Sequence, residues 1–184
     1  MNRVNQISHY TEYNRYPNHF AEIRKKTGDS IDILSLGCST GEEVKALSNI
    51  YYKSSRITGY DICAEIIDKL NKENKDTKVR YIKELDEKVY DLIMCMSVLC
   101  RWPESMGEYT KKEYDEIVSE IDKRLKKGGY LCIYNSKYLF EETDEFKNYK
   151  MVKTEVKDSG FVQKYKKTGE KIKDYPYYLF QKNQ

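Results

Sequence analysis

Ile31-Asp-Ile-Leu-Ser-Leu-Gly37-Cys38-Ser39-Thr40-Gly41-Glu42-Glu43-Val44 decides the fold of this 184-residue chain. Ile31, Ile33, Leu34 and Leu36 are apolar without helical spacing, which predicts a buried strand. Two glycines follow, with three small residues between them. Glycine permits positive φ and leaves no Cβ in a ligand's way. After Gly41 the pattern turns helical. Thr40 with Glu43 matches a capping box, and Ser39 with Glu42 fits one position earlier. The stretch reads as strand, tight turn and helix N-terminus, a geometry that leaves backbone N–H groups free at the tip of a parallel strand. The spacing is G-x-x-x-G, so it is not the G-x-G-x-x-G dinucleotide fingerprint. No Gly-Lys-Ser/Thr follows to make a Walker A loop.

Outward from the turn, Val44, Leu47, Ile50 and Tyr51 space as a helix face. Arg56-Ile-Thr-Gly-Tyr-Asp61 is the next strand and ends in an acid twenty residues beyond Gly41. In doubly wound nucleotide-binding folds an acid at this strand tip hydrogen-bonds ribose hydroxyls. The competing reading of Asp61 is an N-cap for a helix from Ala64 to Leu70. Val79–Ile82 is a short third strand, and Tyr90–Leu99 is a nearly all-apolar fourth, as a central parallel strand should be. Thr110 and Glu113 form a capping box ahead of Tyr114, Ile117, Val118, Ile121 and Leu125, which share one helix face. Lys126-Lys-Gly-Gly129 ends that helix, and Tyr130–Tyr134 is a fifth strand.

Met151 to Val156 and Tyr165 read as strand material, Ser159-Gly160 as a turn, and Tyr175–Phe180 as a last strand with Pro176 at its start or on an edge. Lys147 to Lys173 carries nine basic and three acidic residues. It reads either as a solvated hairpin face or as the neighbour of an anionic ligand. Upstream, Pro17 opens a short helix with Phe20 and Ile23 on one face, ended by Gly28. The polar, tyrosine-rich residues before it are placed to fold over the mouth of the glycine turn.

The length suits one domain, 1–184, with a cap segment at 1–29 and a core from 30. Charged residues make up 34% of the chain, so burial must lean on aromatics, above all the eighteen tyrosines. The net charge of +3 is no nucleic-acid or membrane signature. The five cysteines, odd in number and without a C-x-x-C pair, read as reduced thiols of a cytoplasmic protein. No run is long enough to span a membrane. No cluster has metal-ligand spacing, so no metal is expected.

The glycine turn, the strand-end acid, Tyr90-Asp-Leu-Ile entering the fourth strand and Leu125-Lys-x-Gly-Gly before the fifth together resemble class I S-adenosylmethionine (SAM) dependent methyltransferases over roughly residues 31–135. The resemblance implies a Rossmann-like α/β fold. Its sheet is mostly parallel and seven-stranded, with helices on both faces and an antiparallel C-terminal strand. It also implies SAM as cofactor. The form Gly-Cys-Ser-Thr-Gly-Glu-Glu and the segment Arg15-x-x-x-His19-Phe20 are most similar to the chemotaxis-receptor branch. That likeness implies cofactor contacts from Arg15, Gly37, Cys38, Ser39, Gly41, Glu43, Asp61 and Ile62, from Glu84 and Leu85 beside the adenine, and from Met96 and Ser97 at the end of the fourth strand. Arginine's planar fork suits the methionyl carboxylate.

Departures limit what carries over. Met96-Ser97 replaces that branch's Arg-Asn, and the branch's helical domain and receptor-docking sheet have no counterpart here, so receptor-glutamate methylation is not implied. The Asn/Asp-Pro-Pro-Tyr/Phe motif of amino-methylating nucleic-acid enzymes is also absent. The expected activity is methyl transfer to a small-molecule acceptor, with an anionic one among the candidates. His9, Tyr10 and Tyr13 are the candidates on the acceptor side, and His19 reads as a helix residue. The alternatives are a SAM- or S-adenosylhomocysteine (SAH)-binding module without transfer, and a protein or nucleic-acid methyltransferase using the basic 147–173 stretch.

Overall fold

The computed structural model describes residues 9–184. Part of the expected cap segment, residues 1–8, lies outside the described residues. Seven strands form one sheet in the order β3-β2-β1-β4-β5-β9-β6. They are β1 Asp32–Leu36, β2 Arg56–Tyr60, β3 Val79–Ile82, β4 Tyr90–Met96, β5 Leu125–Tyr134, β6 Tyr149–Met151 and β9 Leu179–Lys182. β3 through β5 run parallel, and β9 lies antiparallel between β5 and β6. β7 (Lys164–Tyr165) and β8 (Lys171–Ile172) form a separate small hairpin.

Side chains alternate across a strand, and here both faces are covered. Ile33, Leu92, Met94 and Cys132 pack with Phe20 and Ile23 of α1 (Pro17–Thr27), Val44 of α2 (Glu42–Ala46), and Ile67 and Leu70 of α3 (Ala64–Glu73). Their neighbours Leu34, Ile93, Leu131 and Ile133 pack with Tyr114, Val118 and Ile121 of α4 (Lys111–Lys123), and with Phe140 and Phe180. The reliance on tyrosine holds: Tyr52, Tyr90, Tyr109, Tyr114 and Tyr178 are all fully buried. After Ala46, α2 widens into a π-helical turn over Leu47–Tyr51.

At the N-terminal ends of the strands an ionic network fixes the base of the sheet. The Asp32 carboxylate accepts from Arg56 Nε (2.9 Å), Arg56 Nη2 (2.8 Å) and Lys88 Nζ (2.6 Å), and these bonds hold its pKa well below the usual carboxylate range. The opposite, C-terminal ends are the open side, where ligands bind in sheets of this kind.

Four local expectations change. Leu125 begins β5 and pairs with Tyr90 instead of closing α4, because the Lys126–Gly129 bulge returns the chain to the sheet earlier than the two glycines suggest. The strand expected over Met151–Val156 is β6 and stops at Met151. The last strand starts at Leu179 and not at Tyr175. The Thr110–Glu113 capping box forms in both directions, but the one at Thr40–Glu43 does not: α2 is capped by Gly41 without a side-chain bond.

Candidate functional site

The site is built on the turn after β1. Gly37 (φ 73°), Ser39 (φ 48°) and Gly41 (φ 80°) all take left-handed backbone. A Cβ on Gly37 would lie 2.5 Å from Val98 Cγ2, so the turn and the end of β4 meet at a point where only glycine fits. Only part of the expected set of free amides is left open. Gly37 N and Cys38 N both donate to Tyr60 O (2.8 and 2.9 Å), Gly41 N donates to Cys38 O (2.9 Å), and Ser39 N donates to the Asp61 carboxylate (2.9 Å). These four amides are satisfied within the fold, while no side-chain bond caps the first turn of α2.

Asp61 stands at the tip of β2, half-buried. Its Oδ2 accepts from Ser39 N and its Oδ1 from Cys63 N (3.0 Å). It does not cap α3, whose N-cap is Cys63. A carboxylate has about four acceptor positions, so after these two bonds Asp61 can still accept from a diol. Ile62 follows it, partly exposed. Beyond β3, Glu84 is exposed and Leu85 partly buried against the core.

Glu43 turns inward instead of capping α2, and its Oε1 accepts from Ser35 Oγ at 2.8 Å. Burial pushes its pKa up to about 7, against the Ser35 hydrogen bond and the Arg15 charge, which both lower it. Between its ordinary 4.5 and about 7 the folded chain therefore holds a proton that the unfolded chain has lost. Stability accordingly falls as pH rises through that window and is flat above it. Glu43→Gln is expected to remove this slope. Urea midpoints at pH 5 and pH 8 would show the variant gaining on the parent at the higher pH, and a constant difference would refute the assignment.

The chain before α1 crosses the turn: Ser39 Oγ donates to His9 O at 3.0 Å, and Tyr51 OH donates to Asn14 Oδ1 at 2.8 Å. The Arg15 guanidinium sits 5.3 Å from the Tyr10 ring centre and 5.1 Å from that of Tyr16, within reach of Glu43's field. His9, Tyr10 and Tyr13 are exposed on this segment. His19, by contrast, is buried between the Tyr134 and Tyr178 rings (4.5 and 5.0 Å), with Nε2 3.2 Å from Lys157 O. Burial lowers its pKa, so the ring is neutral at pH 7.

At the tips of β4 and β5 two residues share left-handed backbone, Ser97 (φ 58°) and Asn135 (φ 54°). Non-glycine residues in this region mark a site whose surroundings impose the conformation. Asn135 Nδ2 donates to Ser97 Oγ (2.9 Å), and Tyr16 OH lies 3.1 Å from the same oxygen. Burial raises the Tyr16 pKa, so it remains a phenol at neutral pH. Met96, just before, is buried against Cys132. The structure thus gathers Arg15, Glu43, the glycine turn, Asp61, Met96 and Ser97 at one end of the sheet. Tyr16 and Asn135 join them without having been singled out. The polar run Asn135-Ser-Lys at the end of an apolar strand was the available signal for Asn135.

The model of a family of methyltransferase domains matches residues 34–133, more than half of the chain. The chain belongs to that family. The glycine turn and Asp61 both lie within the matched residues. TehB from Haemophilus influenzae is 16% identical and superposes with a TM-score of 0.54 over 88% of this chain and 60% of its own. The N-methyltransferase NodS from Bradyrhizobium japonicum WM9 is 13% identical, with a TM-score of 0.56 over 93% of this chain and 99% of its own. At these identities the likeness is one of fold, and the chain spans 60% of the length of TehB. None of the curated proteins matches it. Among the described residues no group of His, Cys, Asp and Glu is arranged to hold a metal ion, and no helix is long and apolar enough to cross a membrane.

Proposed function

We propose that this chain transfers the methyl group of SAM to a small-molecule acceptor by direct in-line displacement. The observation that carries the reading is the charge of the site. The Asp61 carboxylate, with acceptor positions to spare, and the Glu43 carboxyl line it beside the single guanidinium of Arg15. That set suits a ligand with ribose hydroxyls, cationic centres and one carboxylate, and disfavours a pyrophosphate. Asp61 would take the ribose, Arg15 the methionyl carboxylate, and Glu43, whose pKa burial pushes up to about 7, would give up its proton against the cationic end. Gly37, Cys38, Ser39 and Gly41 would admit the ligand's close approach. Ile62, Glu84 and Leu85 would border the adenine, and Met96 and Ser97 the methyl.

Bound SAM would supply an activated methyl on its sulfonium for direct displacement by the acceptor, with SAH as the product. The protein's share is to align the acceptor and exclude water. Tyr16 OH and Asn135 hold Ser97 Oγ at the strand tip, and the His9, Tyr10 and Tyr13 segment closes the acceptor side. The likeness to the chemotaxis-receptor branch rests on Arg15 and Glu43 and extends to cofactor binding, not to a receptor substrate. The five free cysteines support a proposed cytoplasmic location, where thiols stay reduced.

Calorimetric titration with SAM, SAH and NAD tests the reading. Binding of the two adenosyl-sulfur ligands without NAD supports it, and silence for all three overturns it. Asp61→Asn is expected to weaken SAM by about 1.5–3 kcal/mol, the range for hydrogen bonds to a charged group. Unchanged affinity would mean that Asp61 serves only to tie Ser39 N and Cys63 N to the tip of β2.

A further inference from the structure

Among the described residues eight large apolar side chains are exposed, and Tyr10, Tyr13, Trp102 and Phe161 are four of them. These four lie on the three segments that meet at the C-terminal tips of the strands. Trp102 follows β4 by six residues and Phe161 belongs to the stretch between β6 and β7. Their rings nonetheless meet edge to face, with centroids 5.9 Å apart and planes at 79°.

Both rings stand on fixed supports. The side chain of Arg101, next to Trp102, is 8% exposed; its Nη2 donates to Glu113 Oε1 at 2.9 Å and its Nη1 to Glu108 O. Phe161 lies between Gly160, where a Cβ would be 2.3 Å from Asn135 Oδ1, and Val162, whose N–H donates to that same oxygen at 2.8 Å. Asn135 in turn donates to Ser97 Oγ. The aromatic pair is therefore tied through one side chain to the tip where the methyl would be delivered. Phe161 remains 65% exposed and Trp102 49% exposed on a backbone that buried contacts hold still. Large rings left open on rigid supports beside a site form a binding platform.

We propose that the Trp102–Phe161 pair is the acceptor platform, and that the acceptor is an uncharged small molecule with a planar ring, its nucleophilic atom directed at Ser97 and Asn135. The charges on these segments argue for an uncharged body. Their two buried cations, Arg101 and Lys164, are already paired, with Glu113 at 2.9 Å and Asp158 at 3.2 Å. Neither of these two is left for a phosphate or carboxylate. The proposal rests on the methyl-transfer reading.

Trp102 is the only tryptophan in the chain, so its emission reports on the platform directly. The SAH-saturated protein is titrated with p-cresol, with 4-methylcyclohexanol, which has the same outline but no flat ring, and with glycerol 3-phosphate. A saturable change is expected with p-cresol, at least ten-fold weaker binding with 4-methylcyclohexanol, and none with glycerol 3-phosphate. Phe161→Ala, at an exposed position, is expected to keep SAH affinity and to lose p-cresol affinity at least ten-fold. If SAH binds and p-cresol gives no saturable change up to millimolar concentration, the platform is refuted and methyl transfer stands. Equal p-cresol affinity in Phe161→Ala, or a response to glycerol 3-phosphate, refutes it likewise. If SAH itself does not bind, the methyl-transfer reading fails and takes the platform with it.

Discussion

Gly37→Ala is expected to lower SAM affinity by at least a hundred-fold while the sheet still forms. Two effects act at one atom. The backbone at Gly37 has φ 73°, a conformation that costs a residue with a Cβ about 1–2 kcal/mol. The new Cβ would also lie 2.5 Å from Val98 Cγ2 and 3.1 Å from Val98 Cβ. Val98 is β-branched and stiff at χ1, so relief must come from moving backbone. The backbone within reach is the glycine turn on one side and the Ser97–Val98 step on the other, the two places where SAM would be held. Stability should fall by about 1–3 kcal/mol, the usual cost of one strained residue. Adding Val98→Ala restores part of the space but not the φ preference, so the double variant should recover affinity partially. Calorimetry on the three proteins decides. Parental affinity in Gly37→Ala would show that the turn takes no part in binding the cofactor.

What the sequence made legible follows from the range of the interactions. The strand before Gly37, the nearly all-apolar β4 and the Thr110–Glu113 box are local patterns and each formed, although β4 ends at Met96, three residues short of the Leu99 expected. The Thr40–Glu43 box has the same spacing and failed because Glu43 had a better partner, Ser35 Oγ on the buried face of β1. A capping pattern records the acceptors near a helix start; it does not record what the sheet beneath offers them. The C-terminal region was legible as strand material but not in its limits. β6 is three residues long and owes its existence to pairing with β9, which no local signal carries.

The site divides in the same way. The turn and Asp61 were readable because a fixed spacing joins them, and the structure links them through a Ser39 N to Asp61 bond. Tyr16 and Asn135 reach Ser97 from 81 and 38 residues away, so only the folded chain brings them together. At Gly37 and Cys38 the expectation of free amides failed for a different reason. The tip of β2 supplies Tyr60 O as a shared acceptor for Gly37 N and Cys38 N, and this contact between neighbouring strands exists only once they pair.

Lys164→Met is expected to destabilise the chain by about 3–5 kcal/mol, the cost of leaving one member of a buried ion pair alone. The Lys164 side chain is 8% exposed and that of Asp158 3% exposed, with Nζ 3.2 Å from Oδ2. Nζ also donates to Ser136 O and Ser136 Oγ, both at 3.1 Å. Burial lowers the lysine's pKa while the Asp158 charge pulls it back up. Methionine keeps most of the apolar stem and removes the charge, so the loss measured is chiefly that of pairing. Asp158→Asn in the same chain should recover much of it, because no isolated charge then remains. Urea denaturation of the single and double variants measures both steps. A cost below 1 kcal/mol for Lys164→Met would mean that water reaches the pair and that it does not fix the segment. The pair also bears on function through position. Asp158 Oδ1 accepts from Gly160 N at 2.9 Å, and the next residue is Phe161. Loosening the pair should therefore weaken p-cresol binding while SAH binding, which depends on the far side of β4, stays at the parental level. Loss of both together would instead mean that the segment from 157 to 164 supports the whole C-terminal end of the sheet.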